Sequence, residues 1–391
     1  MADEREQGGW EDVRDRVDEA PVGLMVVGAL GMSASAVIGG VIAMKRGVVP
    51  EQFGVTDHPA FAGVSLAAAA DIELGGWDLR PTTVAEALRR HGHLPPSVID
   101  AVNEDEVPLS QGLWTAFDYP LDEEDFARRP KSLEEGAGVV AADIETFRAA
   151  TGAREVIVVF LANPSSQVTP ADGEMAVLRS KAVPAEVMYA VGAADAGAHF
   201  VDFTPSVALE MRAVWSHAEE AGVQIAGRDG STGQTMMKVT VAEMLARRGI
   251  HVDGWYSTNL LGNRDGFVLS SPKYGEPKIA DKTDALHDRQ PDFHKVSIEY
   301  LPPWGDAKEA WDAIECSTWL GAPLSIRIDW RGRDSQLAAP MVLDLVRLVH
   351  RGAGAGLSGF QPQLGYFFKR PYLREATSIS ERWGELLSSY T

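Results

Sequence analysis

Residues 22–45 read VGLMVVGALGMSASAVIGGVIAMK, and the fold turns on how this stretch is read. Gly23 to Val27 is a short apolar run of the kind found in a parallel strand buried on both faces. Gly28-Ala29-Leu30-Gly31 follows as a turn. Met32 and Ser33 then open a helix of small residues, Ser33 to Lys45, that can pack closely on a sheet. Strand, glycine turn and helix make the opening of a dinucleotide-binding fold, with the helix N-terminus available to a pyrophosphate. A GxxG turn lacking a third glycine is a weak fingerprint by itself. The stretch Val22–Met44 carries no charge and is long enough to cross a bilayer. However, Gly23, Gly28, Gly31, Gly39 and Gly40 interrupt it, and Met32-Ser33-Ala34-Ser35 divides it. The preceding residues Glu11, Asp12, Asp15, Asp18 and Glu19 are acidic, unlike the start of a signal peptide. The expectation is a soluble protein with no membrane association.

Outward from this opening, strand and helix alternate. A second strand ends at Gly75-Gly76-Trp77-Asp78, where Asp78 is placed either to accept ribose hydroxyls of a cofactor or to cap the helix Val84 to His91. Glu155 to Leu161 is a buried strand running into Ala162-Asn163-Pro164. Helices are expected at Pro184 to Gly192 and Ser206 to Ala221, and strands at His199 to Phe203 and Val223 to Ala226. The alternation predicts a Rossmann-like, doubly wound parallel α/β sheet. From about Ile250 the texture changes. Ser257 to Phe267 reads as a polar loop, Lys295 to Tyr300 and Leu324 to Trp330 as strands, and Ala307 to Cys316 as a helix, giving an inserted α+β domain with a mixed sheet. The boundaries expected are 1–235 for the nucleotide-binding part, 236–338 for the insertion and 339–391 for the return. The last part holds a helix, Pro340 to His350, and a glycine-rich loop, Arg351 to Gly356.

Composition narrows the classes. The chain has 391 residues, enough for two domains. An apolar content of 45% and a charged content of 24% are those of a globular protein. A net charge of −20 argues against nucleic acid, whose phosphates need a basic stripe. The single cysteine, Cys316, leaves no intrachain disulfide or cysteine-rich zinc site and fits a reducing cytoplasm. No metal ligand set is assigned.

Lysine is scarce: ten lysines stand against twenty-six arginines, and seven of the ten fall at or after Lys238. A desolvated ammonium can give up a proton and take it back, which a guanidinium cannot. Lys278 and Lys282 lie four apart, so on a helix they share a face. They sit near Asn259, Gly262, Asn263 and Asp265. Gly305-Asp306-Ala307-Lys308 is read as a strand-to-helix junction with Asp306 as cap, and Asp334 before Ser335 ends the second sheet. Upstream, Ile225 to Thr235 (IAGRDGSTGQT) is a strand and loop opening the helix Met236 to Arg248. Its backbone N–H groups and the hydroxyls of Ser231, Thr232 and Thr235, with Gly233 and Gln234 between, can cradle a phosphate, or simply cap the helix.

The succession GRDGSTGQT, NLLGNRDG, PKIADK, GDAK, RDSQLAAP and QLGYFFKRP resembles the myo-inositol-3-phosphate synthase family, from Leu24 to Pro371 and most specifically from Ile225 to Asp344. The resemblance implies an isomerase that converts glucose 6-phosphate to inositol phosphate with a bound NAD that is reduced and reoxidised in one cycle. It implies that Lys278, Lys282, Lys308 and Lys369 surround the sugar, and that Asp229, Asn259, Asp265, Asp306 and Asp334 orient those lysines or the cofactor. On this reading Lys278 transfers protons, Lys308 and Lys369 stabilise developing oxyanions, and Lys282 and Lys308 with the Ser231–Thr235 loop hold the phosphate. Gly28 to Ser33, Asp78, Ala162, Asn163, Asp229, Asp265, Asp334 and Ser335 would contact NAD. Family members assemble as tetramers, implying a homo-oligomer joined through the inserted sheet around Lys295 to Trp330.

Two departures bear on the substrate. The family's first loop resembles GxGGNNG, whereas GALGMSA here has Leu30 for glycine and Met32-Ser33 for two asparagines. The family's lysine before Ser-Gly-Gln-Thr is Ser231 here. A relative closing a five-membered ring from fructose 6-phosphate stays open as an alternative. So do a plain NAD(P) dehydrogenase and a non-catalytic homologue, although retention of the four lysine positions argues against the last.

Overall fold

The computed structural model describes residues 21–80, 82–102, 112–117, 127–163, 173–206, 210–262, 266, 291–305, 307–372 and 378–391. The chain forms two compact units. One comprises Met1–Gly230, Ala339–Arg374 and Glu385–Thr391, and the other Ser231–Ala338 with Glu375–Gly384. The division falls after Gly230, so Ser231–Thr235 goes with the second unit, not with the first as the expected boundary at 235 had it.

The first unit opens with β1 (Val22–Val27), α1 (Met32–Lys45), β2 (Ile72–Asp78), α2 (Val84–His91), α3 (Pro96–Ala101) and β3 (Leu113–Thr115). It continues with α4 (Leu133–Thr151), β4 (Glu155–Phe160), α5 (Met175–Leu178), α6 (Ala185–Asp195), β5 (His199–Asp202), α7 (Arg212–Glu220) and β6 (Gln224–Gly227). The second unit holds α8 (Gly233–Arg247), β7 (His251–Leu261), β8 (Phe293–Tyr300), β9 (Lys308–Ser317) and β10 (Pro323–Gly332). The chain returns to the first unit along α9 (Asp334–Gly354) and adds β11 (Gly359–Phe360) there, while the last helix, α10 (Ile379–Tyr390), is divided between the units at Gly384.

The first sheet runs β11-β6-β5-β4-β1-β2-β3, with every pairing parallel. This is a doubly wound sheet whose order reverses at β1, between β2 and β4, the place where such sheets bind ligands beyond the strand ends. Every residue of β1 is buried, as a strand covered on both faces requires. Met25 and Val27 pack with Val140 and Phe147 of α4 and Tyr189 of α6 in one continuous core. By strand alternation Leu24 and Val26 face the opposite side. The apolar run that could have been read as a membrane span is therefore a strand and a helix of 14 residues. Among the described residues no helix is long and apolar enough to cross a membrane.

The second sheet is mixed, in the order β10-β9-β7-β8, with β7 and β8 parallel and the other two pairings antiparallel. One face carries Trp255, Ile314 and Cys316, which pack on Ala242 and Leu245 of α8. Two expectations are corrected here. Residues 307–316, read as a helix, form the strand β9. Their Ala, Glu and Lys content favours a helix, but Lys308, Ala310, Asp312, Ile314 and Cys316 alternate inward, and pairing on both sides outweighs propensity. The helix that Asp306 was expected to cap is thus a strand; Asp306 itself lies outside the described residues. Ser257–Leu261, read as loop, belongs to β7; its polar side chains bond inside the unit instead of to water. The loop expected from Arg351 is still helix as far as Gly354.

Candidate active site

In the first unit the turn after β1 is pinned to β2. The N–H groups of Gly28 and Ala29 both donate to Trp77 O, at 2.8 and 3.0 Å. The Leu30 N–H donates to Asp78 Oδ2 at 2.8 Å, and Asp78 Oδ1 accepts the Arg80 N–H at 3.0 Å. Asp78 thus fastens the turn, and the helix it might have capped is capped by Thr83. Gly28 has φ +82°, and a Cβ there would lie 3.1 Å from Ala162 Cα, so only glycine allows the ends of β1 and β4 to approach this closely. Ala162 and Asn163 are thereby brought to the switch point. Helix α1 begins at Met32 after Gly31, with no side-chain cap and no acidic residue in its first turn. Its positive end is left for an anion.

The same unit holds Asp229 and Lys369 together. Lys369 Nζ donates to Asp229 Oδ1 at 2.8 Å, and the Lys369 N–H donates to Asp229 O at 2.7 Å. Asp229 takes a left-handed φ of 59°, and its N–H donates to Thr204 O at 2.8 Å. Behind Thr204 lies a fully buried carboxyl, Asp202. Its Oδ1 accepts the Thr204 N–H at 2.9 Å and hydroxyl at 2.8 Å, and its Oδ2 accepts from Tyr372 Oη at 3.2 Å. Burial, reinforced by Glu186, pushes the Asp202 carboxyl up to about 7 against the pull of these hydrogen bonds. The Tyr372 N–H reaches Gly227 O at 3.1 Å, so Asp202 braces both chain segments that carry the Lys369–Asp229 pair. Nothing in the sequence singled it out.

In the second unit Lys308 Nζ donates to Asp334 Oδ2 at 2.6 Å, with the lysine side chain 10% exposed. Lys308 leads β9, and Asp334 opens α9 immediately after β10, which pairs with β9; the register sets Lys308 opposite Gly332. Thr232 occupies the N-cap of α8 without a side-chain capping bond, so the loop is not explained as a well-capped helix. Ser231 is half-buried beside it, and Thr235 is buried. Asn259 is fully buried and donates to Gln234 Oε1, while Gln234 Nε2 donates to Asp312 Oδ2 at 3.1 Å. Asp312 also accepts from Trp255 Nε1 at 2.7 Å and Ser257 Oγ at 2.5 Å. This buried network sets the floor under the loop. Asp312 was overlooked because its strand was read as a helix; the alternation of Lys308, Ala310, Asp312, Ile314 and Cys316 was the signal. Ser335 is buried in the first turn of α9. Lys238, one helical turn beyond the loop, donates to His294 Nε2 at 2.8 Å. Burial pushes Lys238 down to about 8, although Asp312 opposes this. Burial and the neighbouring Lys238 push His294 down to about 4.

Lys278, Lys282, Asn263, Asp265 and Asp306 lie outside the described residues. For the others, the structure joins Lys369 with Asp229 and Lys308 with Asp334, and gathers Gly28 to Ser33 with Asp78, Ala162 and Asn163.

Two part-buried lysine–carboxylate pairs, a glycine turn at a topological switch and an uncapped helical loop fit the expected family, and comparison with known proteins agrees. The family model for myo-inositol-1-phosphate synthase matches residues 233–335. Inositol-3-phosphate synthase 1 of Bacteroides thetaiotaomicron is 30% identical over 383 residues, covering 90% of this chain and 89% of that protein. Among solved structures, inositol-3-phosphate synthase of Caenorhabditis elegans superposes with a TM-score of 0.80 at 21% identity, over 95% of this chain and 85% of that one. A myo-inositol-1-phosphate synthase-related protein of Thermotoga maritima gives 0.71 at 19% identity, over 95% and 98%. The structural matches establish the shared fold. The protein is an enzyme belonging to the inositol-3-phosphate synthase family of sugar-phosphate cyclases.

Proposed function

We propose that the protein cyclises glucose 6-phosphate to myo-inositol 3-phosphate in a redox-neutral cycle with NAD as resident cofactor. The observation that carries this reading is the two part-buried, carboxylate-held ammonium groups, Lys308–Asp334 and Lys369–Asp229. A plain dehydrogenase needs one proton acceptor beside its hydride acceptor. An aldol closure needs two oxyanions stabilised in turn, the enolate and the carbonyl oxygen that it attacks.

The first-unit turn suits a dinucleotide: Gly28 lets the backbone come close, and the first turn of α1 is uncapped. NAD bound there would supply reversible hydride acceptance. Gly28 to Ser33 would bind its pyrophosphate, while Asp78 holds the turn in shape. Lys308 and Lys369, each held by a carboxylate, are suited to stabilising oxyanions, usually the largest catalytic contribution. Proton removal from the substrate is assigned to Lys278. Lys282 and the Ser231–Thr235 loop, with its hydroxyls and the helix dipole of α8, take the phosphate. Asp265, Asp334 and Ser335 are assigned to the cofactor side. This reading also expects a cytoplasmic homotetramer joined through the second sheet, where Tyr256, Phe293 and Trp311 are exposed and β8 and β10 are edge strands. A monomeric mass by light scattering would refute that assembly.

The test is to incubate the purified protein with NAD and either glucose 6-phosphate or fructose 6-phosphate, and to identify the product by NMR. A six-membered cyclitol phosphate from glucose 6-phosphate, without net NADH, is expected. A five-membered cyclitol from fructose 6-phosphate would shift the substrate to the ketose. Stoichiometric NADH would make the protein a dehydrogenase.

A further inference from the structure

Trp330, on β10, lies against the loop that opens α8. A Cβ built on Gly233 would meet Trp330 Cη2 at 2.9 Å and Cζ2 at 3.1 Å. These atoms belong to the edge of the indole that carries its nitrogen, so that edge faces the loop. Lys308 Nζ is 5.9 Å from the ring centroid, and Asp334 Oδ1 is 3.2 Å from the same Cβ position. Gly233 itself has φ +59°, so both its backbone and the crowding ring require glycine.

The Trp330 nitrogen is buried and has no hydrogen-bond partner. A buried donor left without an acceptor is costly, and buried tryptophans ordinarily find a partner for the N–H. If the ring served only as a wall against Gly233 and Lys308, a phenylalanine would pack there without that penalty. The surroundings narrow what the acceptor is. Beside the indole stand the first-turn N–H groups of α8 and the Lys308 ammonium, which are donors, and the carboxylate of Asp334, whose Oδ2 is held by Lys308 at 2.6 Å and whose Oδ1 also faces the loop. An oxygen-rich anion satisfies the donors together; a neutral carbonyl satisfies one of them.

We propose that Trp330 is a phosphate-recognition residue, its indole N–H donating to a phosphoryl oxygen of the substrate held at the α8 loop. The inference rests on the reading of Ser231–Thr235 as the phosphate cradle and adds a neutral, directional donor to it. Unlike a lysine, an indole N–H discriminates by position and not by charge, so it selects sugars whose phosphate reaches this corner.

The test is isothermal titration of the full-length protein with glucose 6-phosphate and with inorganic phosphate, comparing wild type, Trp330→Phe and Trp330→His. Phenylalanine should weaken both ligands by about tenfold or more, with the melting temperature and oligomeric mass unchanged. Histidine, which keeps a ring N–H, should lose less. Trp319→Phe, at a residue 82% exposed in the turn between β9 and β10, serves as the control and should change neither affinity. In parallel, phosphate added to the 15N-labelled wild-type protein should move one of its ten indole resonances downfield. This arm needs no variant to fold. Equal binding by wild type and a folded Trp330→Phe protein, or no indole resonance moving at saturating phosphate, overturns the proposal while leaving the cradle intact. A wild-type protein that binds neither ligand overturns the cradle, and this inference with it.

Discussion

Asp202→Asn is the perturbation with the most definite outcome, because the structure supplies every atom needed to work it out. Moving a carboxyl from 3.8 to about 7 means that its ionised form costs the fold up to about 4 kcal/mol at about pH 8. The sign follows from proton counting. Between about pH 4 and about pH 7 the folded protein binds the proton that the unfolded chain has released, so Asp202 makes the wild type lose stability as pH rises through that window. The groups facing it are Glu186 on α6 and the Tyr372 hydroxyl; Arg228 and Glu210 act on Tyr372 in turn. None supplies a cation bonded directly to the carboxylate among the hydrogen bonds it makes. Asparagine keeps Oδ1 for the Thr204 N–H and hydroxyl. Its amide then donates to Tyr372 Oη, whose own proton can turn to Ser206 O at 3.5 Å. Imperfect geometry there would take back about 1–2 kcal/mol. The expected result is therefore a variant about 2–3 kcal/mol more stable than wild type at about pH 8, with the advantage falling as the pH drops and giving way to a deficit of about 1–2 kcal/mol near pH 4, where only the imperfect hydrogen bond remains. Urea unfolding followed by tryptophan fluorescence across that range measures it. A variant destabilised equally at both ends of the range would show that Asp202 is an ordinary ionised carboxylate and that its bracing of Asp229 and Lys369 depends on that charge.

Three further outcomes follow. Lys238→Met should gain stability near neutral pH, since burial holds Lys238 down to about 8; the unfolded lysine stays protonated to higher pH, so wild type recovers as pH rises from about 8 to about 10.5 and the gain disappears, which thermal melts at stepped pH will show. Lys308→Ala should cost about a hundredfold or more in turnover, and Lys308→Arg should restore part of it, because the role assigned is charge and not proton transfer; an arginine variant as dead as the alanine one contradicts this. Lys278→Ala should lose at least about a hundredfold and gain little from Lys278→Arg, whereas Lys273→Ala should be nearly silent in the same assay; equal behaviour of Lys273 and Lys278 would displace the proposed base.

The sequence by itself determined the first unit and the family. A strand buried on both faces must be apolar throughout, and a glycine turn before a run of small residues leaves few alternatives, so Val22–Lys45 and Glu155–Leu161 could be read directly. The lysines and short motifs to which the proposed chemistry is assigned were legible for the same local reason: residue type and spacing in the chain are enough to name them. The second sheet was not legible. In β9 the residues are good helix formers, and only pairing with β7 and β10 makes them a strand. In β7 Ser257 and Asn259 look like loop until Asp312 and Gln234 arrive from elsewhere in the chain to satisfy them. Tertiary structure alone also decided which groups face inward. It bonded Asn259 to Gln234, gave Asp78 to the turn, set Asp202 behind Lys369 and Asp229, and laid the indole of Trp330 against Gly233. These are matters of which distant residues share a desolvated volume, and a buried polar group's partner is fixed by packing, not by its neighbours in sequence.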